Sequence, residues 1–228
     1  MKLRKFKLDT QFWLNKWQNN EIGFHLPKPH PWLVACWPQL HHGTDACHVF
    51  VPLCGKSVDL DFFYQQGHQV TANELSEDAV KAVFERLELT PNKTQWEGGV
   101  CYQAAQLTIY VGDFFKLNDT HIHGVDWIYD RAALIALPEA MRVSYAQKLV
   151  ALCPDAQQCL ITLDYEQTQM SGPPFALTRA LVDQYYQATY AIDELKSANI
   201  IEYEPRFAQN GLTELFQRVY RLTPKLHA

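Results

Sequence analysis

His48-Val-Phe-Val-Pro-Leu-Cys-Gly-Lys-Ser57 and Gln69-Val-Thr-Ala-Asn-Glu-Leu-Ser76 together decide the fold. The first is a short apolar run that stops at Cys54-Gly55. Ser57 then supplies an N-cap, and a helix follows whose apolar residues include Val58, Leu60, Phe62 and Phe63. Gly67 ends that helix. The second run is another strand, and Ser76 with Asp78 opens a helix carrying Ala79, Val83, Phe84 and Leu87. Strand, helix, strand, helix is the grammar of a parallel sheet covered by helices on both faces.

The pattern continues on the C-terminal side. Strands are expected at Leu107–Val111, Val125–Tyr129 and Gln158–Leu163, with a helix after Pro138 between the last two, so the sheet reaches five parallel strands. After Gly172-Pro-Pro-Phe175 come a helix over Leu177–Tyr186 and two strand-like runs near Ile192–Glu202 and Leu212–Leu222, read as an antiparallel hairpin. On the N-terminal side, residues 1–45 hold helical stretches at Asp9–Asn19 and Pro31–Leu40 with four of the six tryptophans, Trp13, Trp17, Trp32 and Trp37. They are read as a helical cap on an α/β core of residues 46–228, the whole forming one domain of 228 residues.

A net charge of −5 offers no general attraction to nucleic acid or anionic lipid, and no apolar run is long enough for a membrane span or follows the basic start as a signal peptide would. The expectation is a cytoplasmic protein without nucleic-acid or membrane partners. The six cysteines lack a CxxC pair and read as reduced core thiols. Of the nine histidines, only His41-His42 and His121-x-His123 are spaced like metal ligands; both pairs read as solvated loop residues, so no metal is expected.

In an open parallel sheet, ligands bind beyond the carboxyl ends of the strands. Gly55 there lets the backbone approach a ligand, and the helix behind it offers free amide donors. Glu74 closes the second strand 19 residues after Gly55 (74 − 55), where nucleoside-binding folds of this class place a ribose-reading acid. A solvated glutamate is the equal alternative. Asp113, in Gly112-Asp-Phe-Phe115, is suited to an adenine amino group with Phe114 beside it, although taken alone such a residue is more often a helix cap. In Tyr129-Asp-Arg-Ala132, the residues alone favour a mutual salt bridge between Asp130 and Arg131. No GxSxG elbow, HExxH helix, GxGxxG loop or P-loop is present.

Phe12-Trp13, Trp17, Ile22-Gly-Phe-His25, Val51-Pro-Leu-Cys-Gly-Lys-Ser57, Gly67-His68, Glu74-Leu-Ser76, Gly112-Asp-Phe-Phe115, Tyr129-Asp-Arg-Ala132 and Gly172-Pro-Pro-Phe175 resemble the thiopurine S-methyltransferase family in order and spacing. The resemblance implies a Rossmann-like class I methyltransferase fold, with a seven-stranded, mostly parallel sheet and an N-terminal helical cap. It also implies an enzyme that uses S-adenosylmethionine as methyl donor and releases S-adenosylhomocysteine. Its acceptors would be thiopurines, related heterocyclic thiols, or selenium and tellurium compounds, and the protein would act as a monomer on these small molecules. Cofactor contacts are implied for Trp17, Leu53, Glu74 and Arg131, with Asp113 and Phe114 beside adenine. Phe24 and Arg206 would line the acceptor pocket, and Arg131 and Arg206 would favour an anionic acceptor. Two rivals share the fold class: an NAD-linked oxidoreductase, disfavoured by the missing GxGxxG, and a non-catalytic S-adenosylmethionine sensor.

The sequence departs from the family at Thr71-Ala-Asn-Glu74, where Asn73 stands before the ribose acid in place of a Gly-Val-Glu-like sequence. That departure bears on how Glu74 is oriented.

Overall fold

The computed structural model describes residues 10–19, 23, 25–43 and 45–225, and the chain divides after Val125 into two compact units. In the first unit, α1 (Thr10–Gln18) and α2 (Pro31–Leu40) precede β1 (His48–Val51), α3 (Asp59–Gln65), β2 (Gln69–Glu74), α4 (Glu77–Arg86), β3 (Asn92–Trp96), β4 (Gly99–Ala104) and β5 (Leu107–Gly112).

Pro31 opens α2, and the His30 imidazole accepts the Trp32 amide, so the first turn is capped by an unusual residue. Leu33, Cys36, Trp37 and Leu40 are buried on one side of α2, and the Trp37 ring meets Phe63 of α3 edge-on at 4.9 Å. β1 is buried along its whole length, as a strand covered on both faces must be. It pairs in parallel with β2, and β2 pairs in parallel with β5. Helix α3 begins one residue later than a Ser57 cap would place it: Val58 is the N-cap, while the Ser57 hydroxyl accepts the Asp59 amide. Gly67, at φ 82°, lets the chain turn from α3 into β2. Ser76 caps α4 by accepting the Ala79 amide, and Ala79, Val80, Val83 and Phe84 are buried beneath it.

Nine strands form among the described residues instead of seven. The extra two are β3 and β4, an antiparallel hairpin whose second strand pairs antiparallel with β5. Trp96 pairs with Gly99 across the two-residue loop Glu97-Gly98. That corner requires glycine: a Cβ on Gly98 would lie 2.0 Å from the Trp96 ring, and one on Gly112 would lie 2.3 Å from the Gly98 carbonyl.

The second unit holds β6 (Trp127–Arg131), α5 (Glu139–Leu152), β7 (Gln157–Asp164), α6 (Arg179–Tyr186), β8 (Tyr190–Asn199), α7 (Pro205–Gln209) and β9 (Phe216–Pro224). β6 and β7 are parallel, whereas β9 runs antiparallel to both β7 and β8. Pro138 is the N-cap of α5 and lies just outside its first turn. All six cysteines are buried and unbridged. Among the described residues no helix is long and apolar enough to cross a membrane.

Candidate functional site

The turn after β1 is built from two left-handed residues, Leu53 at φ 47° and Gly55 at φ 56°. Glycine adopts this conformation freely, while leucine there costs about 1–2 kcal/mol, strain of a kind that collects at ligand sites. The neighbouring strand holds the turn in place. The Cys54 amide donates to the Asn73 carbonyl at 2.9 Å. The Gly55 amide donates to Glu74 Oε2 and the Ser76 amide to Glu74 Oε1, each at 2.8 Å. Glu74 is buried, and burial raises its pKa against the opposing pull of backbone amides from Ser76, Gly55 and Leu75. A carboxylate oxygen has two lone-pair directions, so each Glu74 oxygen retains acceptor capacity beyond its backbone bond.

A second brace, not anticipated from the sequence, holds the far side of the turn. Arg86, at the end of α4, donates to both carboxylate oxygens of Asp61 at 2.6 Å. It also donates to the carbonyls of Lys56 and Ser57 at 3.0 and 3.2 Å. A planar guanidinium suits this fan of acceptors, which lysine cannot reproduce. The only sequence signal was an arginine in the last turn of a helix, which ordinarily reads as a dipole effect. Cys54, beside these groups, is no nucleophile: burial, with Glu74 adding to it, pushes its thiol pKa well up.

Asn73 does not bond to Glu74. Its side-chain amide donates to the Tyr110 and Gly112 carbonyls at 2.9 and 3.0 Å, fastening β2 to the end of β5. Immediately beyond, Asp113 caps a single 3-10 turn by accepting the Phe115 amide at 2.9 Å. Phe114 is buried and meets Phe115 edge-on. Trp13 and Trp17 are both half-buried on α1. Phe24 lies outside the described residues.

In the second unit, Arg131 is the last residue of β6 and is half-buried. Asp130 is fully enclosed, and its carboxylate accepts the Leu134 amide at 3.1 Å and the Tyr145 hydroxyl at 2.9 Å. The expected ion pair is therefore replaced by an internal hydrogen-bond set, because successive strand residues point to opposite faces. Burial raises the Asp130 pKa to about 6, partly offset by the bonds from Leu134 and Tyr145. Ala132, at φ 65°, turns the chain directly after Arg131. Arg206 lies on α7, between the hairpin strands, where it is half-exposed. It sits 3.5 Å from Glu204 and 4.7 Å from the Phe207 ring centroid.

The two expected histidine pairs are only partly solvated. His42 and His123 are exposed, but His41 stacks on Trp37 at 5.6 Å and His121 packs edge-on against Trp96 and Tyr110.

The sequence model of the thiopurine S-methyltransferase family, TPMT, matches residues 8–225. A thiopurine S-methyltransferase of Pseudomonas fluorescens is 43% identical over 216 residues, covering 94% of this chain and 99% of that protein. One of Shewanella pealeana is 40% identical over 219 residues, covering 96% and 100%. Among solved structures, a Burkholderia thailandensis 1,6-didemethyltoxoflavin-N1-methyltransferase with bound S-adenosylhomocysteine superposes with a TM-score of 0.61 at 16% identity, over 94% of this chain and 87% of that one. An Anabaena variabilis S-adenosylmethionine-dependent methyltransferase gives 0.61 at 12% identity over 95% of both chains. The structural likenesses carry the Rossmann-like α/β methyltransferase fold, and the full-length sequence matches carry the family: this chain belongs to the thiopurine S-methyltransferases.

Proposed function

We propose that the chain methylates the sulfur of thiopurines and related heterocyclic thiols, using S-adenosylmethionine as donor. The observation that carries the reading is the Glu74 carboxylate clasping the Gly55 amide at the strand ends of a methyltransferase family member. It is an S-adenosylmethionine-dependent S-methyltransferase; neither an oxidoreductase nor a sensor is favoured.

The donor set fits an adenosyl cofactor. Glu74 offers remaining lone pairs to two ribose hydroxyls, and the left-handed Leu53 brings backbone close to the ligand. Asp113 and Phe114, at the end of β5, are assigned to the adenine side, and Trp17 on α1 to shielding the sulfonium from water. A ring facing a desolvated cation is worth about 0.5–2 kcal/mol. When bound, the cofactor supplies a methyl group activated by positive sulfur. The residues then hold an acceptor sulfur in line with that methyl and keep water out; no covalent enzyme intermediate is needed. Arg131 and Arg206 are assigned to favouring the anionic thiolate form of the acceptor; Phe24, the other residue expected at the acceptor, lies outside the described residues. A heteroaromatic thiol is acidic enough to ionise near neutral pH without an enzymic base.

The same reading takes the protein as a cytoplasmic monomer acting on small molecules without a nucleic-acid partner, consistent with its charge of −5. Titration calorimetry with S-adenosylmethionine, S-adenosylhomocysteine and NAD, followed by a screen of thiols and selenium and tellurium anions, tests it. Binding of the first two but not NAD, with methylation of thiopurines, is the expected result.

A further inference from the structure

Three side chains stand apart from every residue assigned above. His41 follows α2, Cys47 immediately precedes β1 and His68 immediately precedes β2. They therefore gather at the entry edge of the two strands, whereas Gly55 and Glu74 lie beyond the opposite ends. One ligand atom from each lies within 4.8 Å of the others, Cys47 and His68 are buried, and His41 is half-buried. We propose that His41, Cys47 and His68 form a transition-metal site of the zinc class that staples the end of α2 to the starts of β1 and β2.

The geometry is close to that required. Zinc ligand distances of about 2.0–2.3 Å in a tetrahedron put neighbouring donor atoms about 3.5 Å apart. His68 Nδ1 and Cys47 Sγ are separated by 3.4 Å. The remaining spacing closes by rotation of His41, whose ring is only half enclosed. The donor set is selective as well: two imidazoles and a thiolate suit zinc, cobalt or copper and are wrong for magnesium or calcium. Three protein ligands leave a fourth tetrahedral position for a water molecule.

Hydrogen bonding at His41 points the same way. His41 Nε2 lies 2.8 Å from the Asp45 carbonyl, which can only accept, so Nε2 carries the proton and Nδ1 keeps the lone pair. A backbone carbonyl fixing one ring nitrogen is the usual support for a ligating histidine. At His68 the Trp37 Nε1–H faces Nε2 at 3.2 Å, and Nδ1 faces the Cys47 sulfur at 3.4 Å and the Cys47 amide at 3.2 Å. A metal on Nδ1 would take the place of those Cys47 contacts and send the ring proton to Nε2, so the metal–ligand bonds must outweigh the loss of the Trp37 indole's acceptor. Loading also removes the Cys47 thiol proton, releasing it to solvent as the metal–sulfur bond forms.

Cobalt titration of the full chain, stripped with a chelator under reducing conditions, tests this. The expected result is a thiolate-to-cobalt absorption band saturating at a single equivalent and displaced by zinc, together with a higher melting temperature in zinc. Cys47→Ser should abolish the band, and His41→Gln, a change at a half-exposed position that spares the core, should weaken metal binding by at least about a hundredfold. Cys153→Ser, at a buried thiol elsewhere, should leave the band intact. No thiolate band, or a band and zinc stabilisation unchanged in Cys47→Ser, overturns the site. A band lost in Cys47→Ser but undiminished in His41→Gln overturns the three-ligand arrangement.

Discussion

Glu74 Oε2 accepts the Gly55 amide at 2.8 Å, so the acid proposed for the cofactor ribose also holds the turn after β1. On that proposal one buried carboxylate has both a binding and a structural duty. Its loss leaves the Gly55 and Ser76 donors unpaired in a closed environment.

Glu74→Ala is therefore expected to weaken S-adenosylmethionine binding at least tenfold, since hydrogen bonds to charged groups are worth about 1.5–3 kcal/mol. It should also lower the melting temperature of the cofactor-free protein. Calorimetry and thermal denaturation on the same variant separate the two effects. A folded variant with unchanged affinity would remove Glu74 from the cofactor site.

Asp130 gives a pH dependence with a definite sign. Its pKa rises from 3.8 to about 6 on folding, so the native state binds this proton more tightly than the unfolded chain. The resulting stabilisation is fully present below about pH 4 and is lost as pH rises through about 6, with a span on the order of 3 kcal/mol. Asp130→Asn keeps an acceptor for the Leu134 amide and a partner for the Tyr145 hydroxyl. Chemical denaturation across pH 4–7 should show a shallower slope for the variant. Parallel curves for both proteins would show that Asp130 titrates alike in the folded and unfolded states.

Arg206→Met is expected to reduce thiopurine kcat/KM by roughly ten- to a hundredfold, the worth of one charge-assisted contact, with cofactor affinity nearly intact. Arg131→Met should damage both. The rival account of Arg206 is the partnership with Glu204 and the Phe207 ring seen on α7. Normal turnover in the Arg206 variant would favour that account, and steady-state kinetics alongside calorimetry decides between them.

The alternating skeleton was legible in the sequence because each of its steps is local. Apolar runs, Ser76 as a cap and Gly67 as a stop fixed β1 through α4 to within a residue or two. The β3–β4 hairpin was not legible: all but one of the β3 residues Asn92-Lys-Thr-Gln-Trp96 are exposed, so no apolar alternation marks them. Its only local cue was the tight Glu97-Gly98 loop. Around the candidate site, the spacing of Glu74 from Gly55 flagged both members of a pair that the structure joins by a hydrogen bond. The Arg86–Asp61 brace joins residues 25 apart through side chains alone, and such a pair leaves no periodic trace. The gathering of His41, Cys47 and His68 was hidden for the same reason, since the β1–β2 pairing and the packing of Trp37 on His68 bring them together.

The central claim is methyl transfer to sulfur, and the most direct measurement is mass spectrometry of 6-mercaptopurine incubated with the protein and S-adenosylmethionine carrying a deuterated methyl group. The account predicts an S-methyl product bearing the intact label, formed together with an equal amount of S-adenosylhomocysteine over many turnovers. Cofactor binding without labelled product, or label found only on a ring nitrogen, would contradict it.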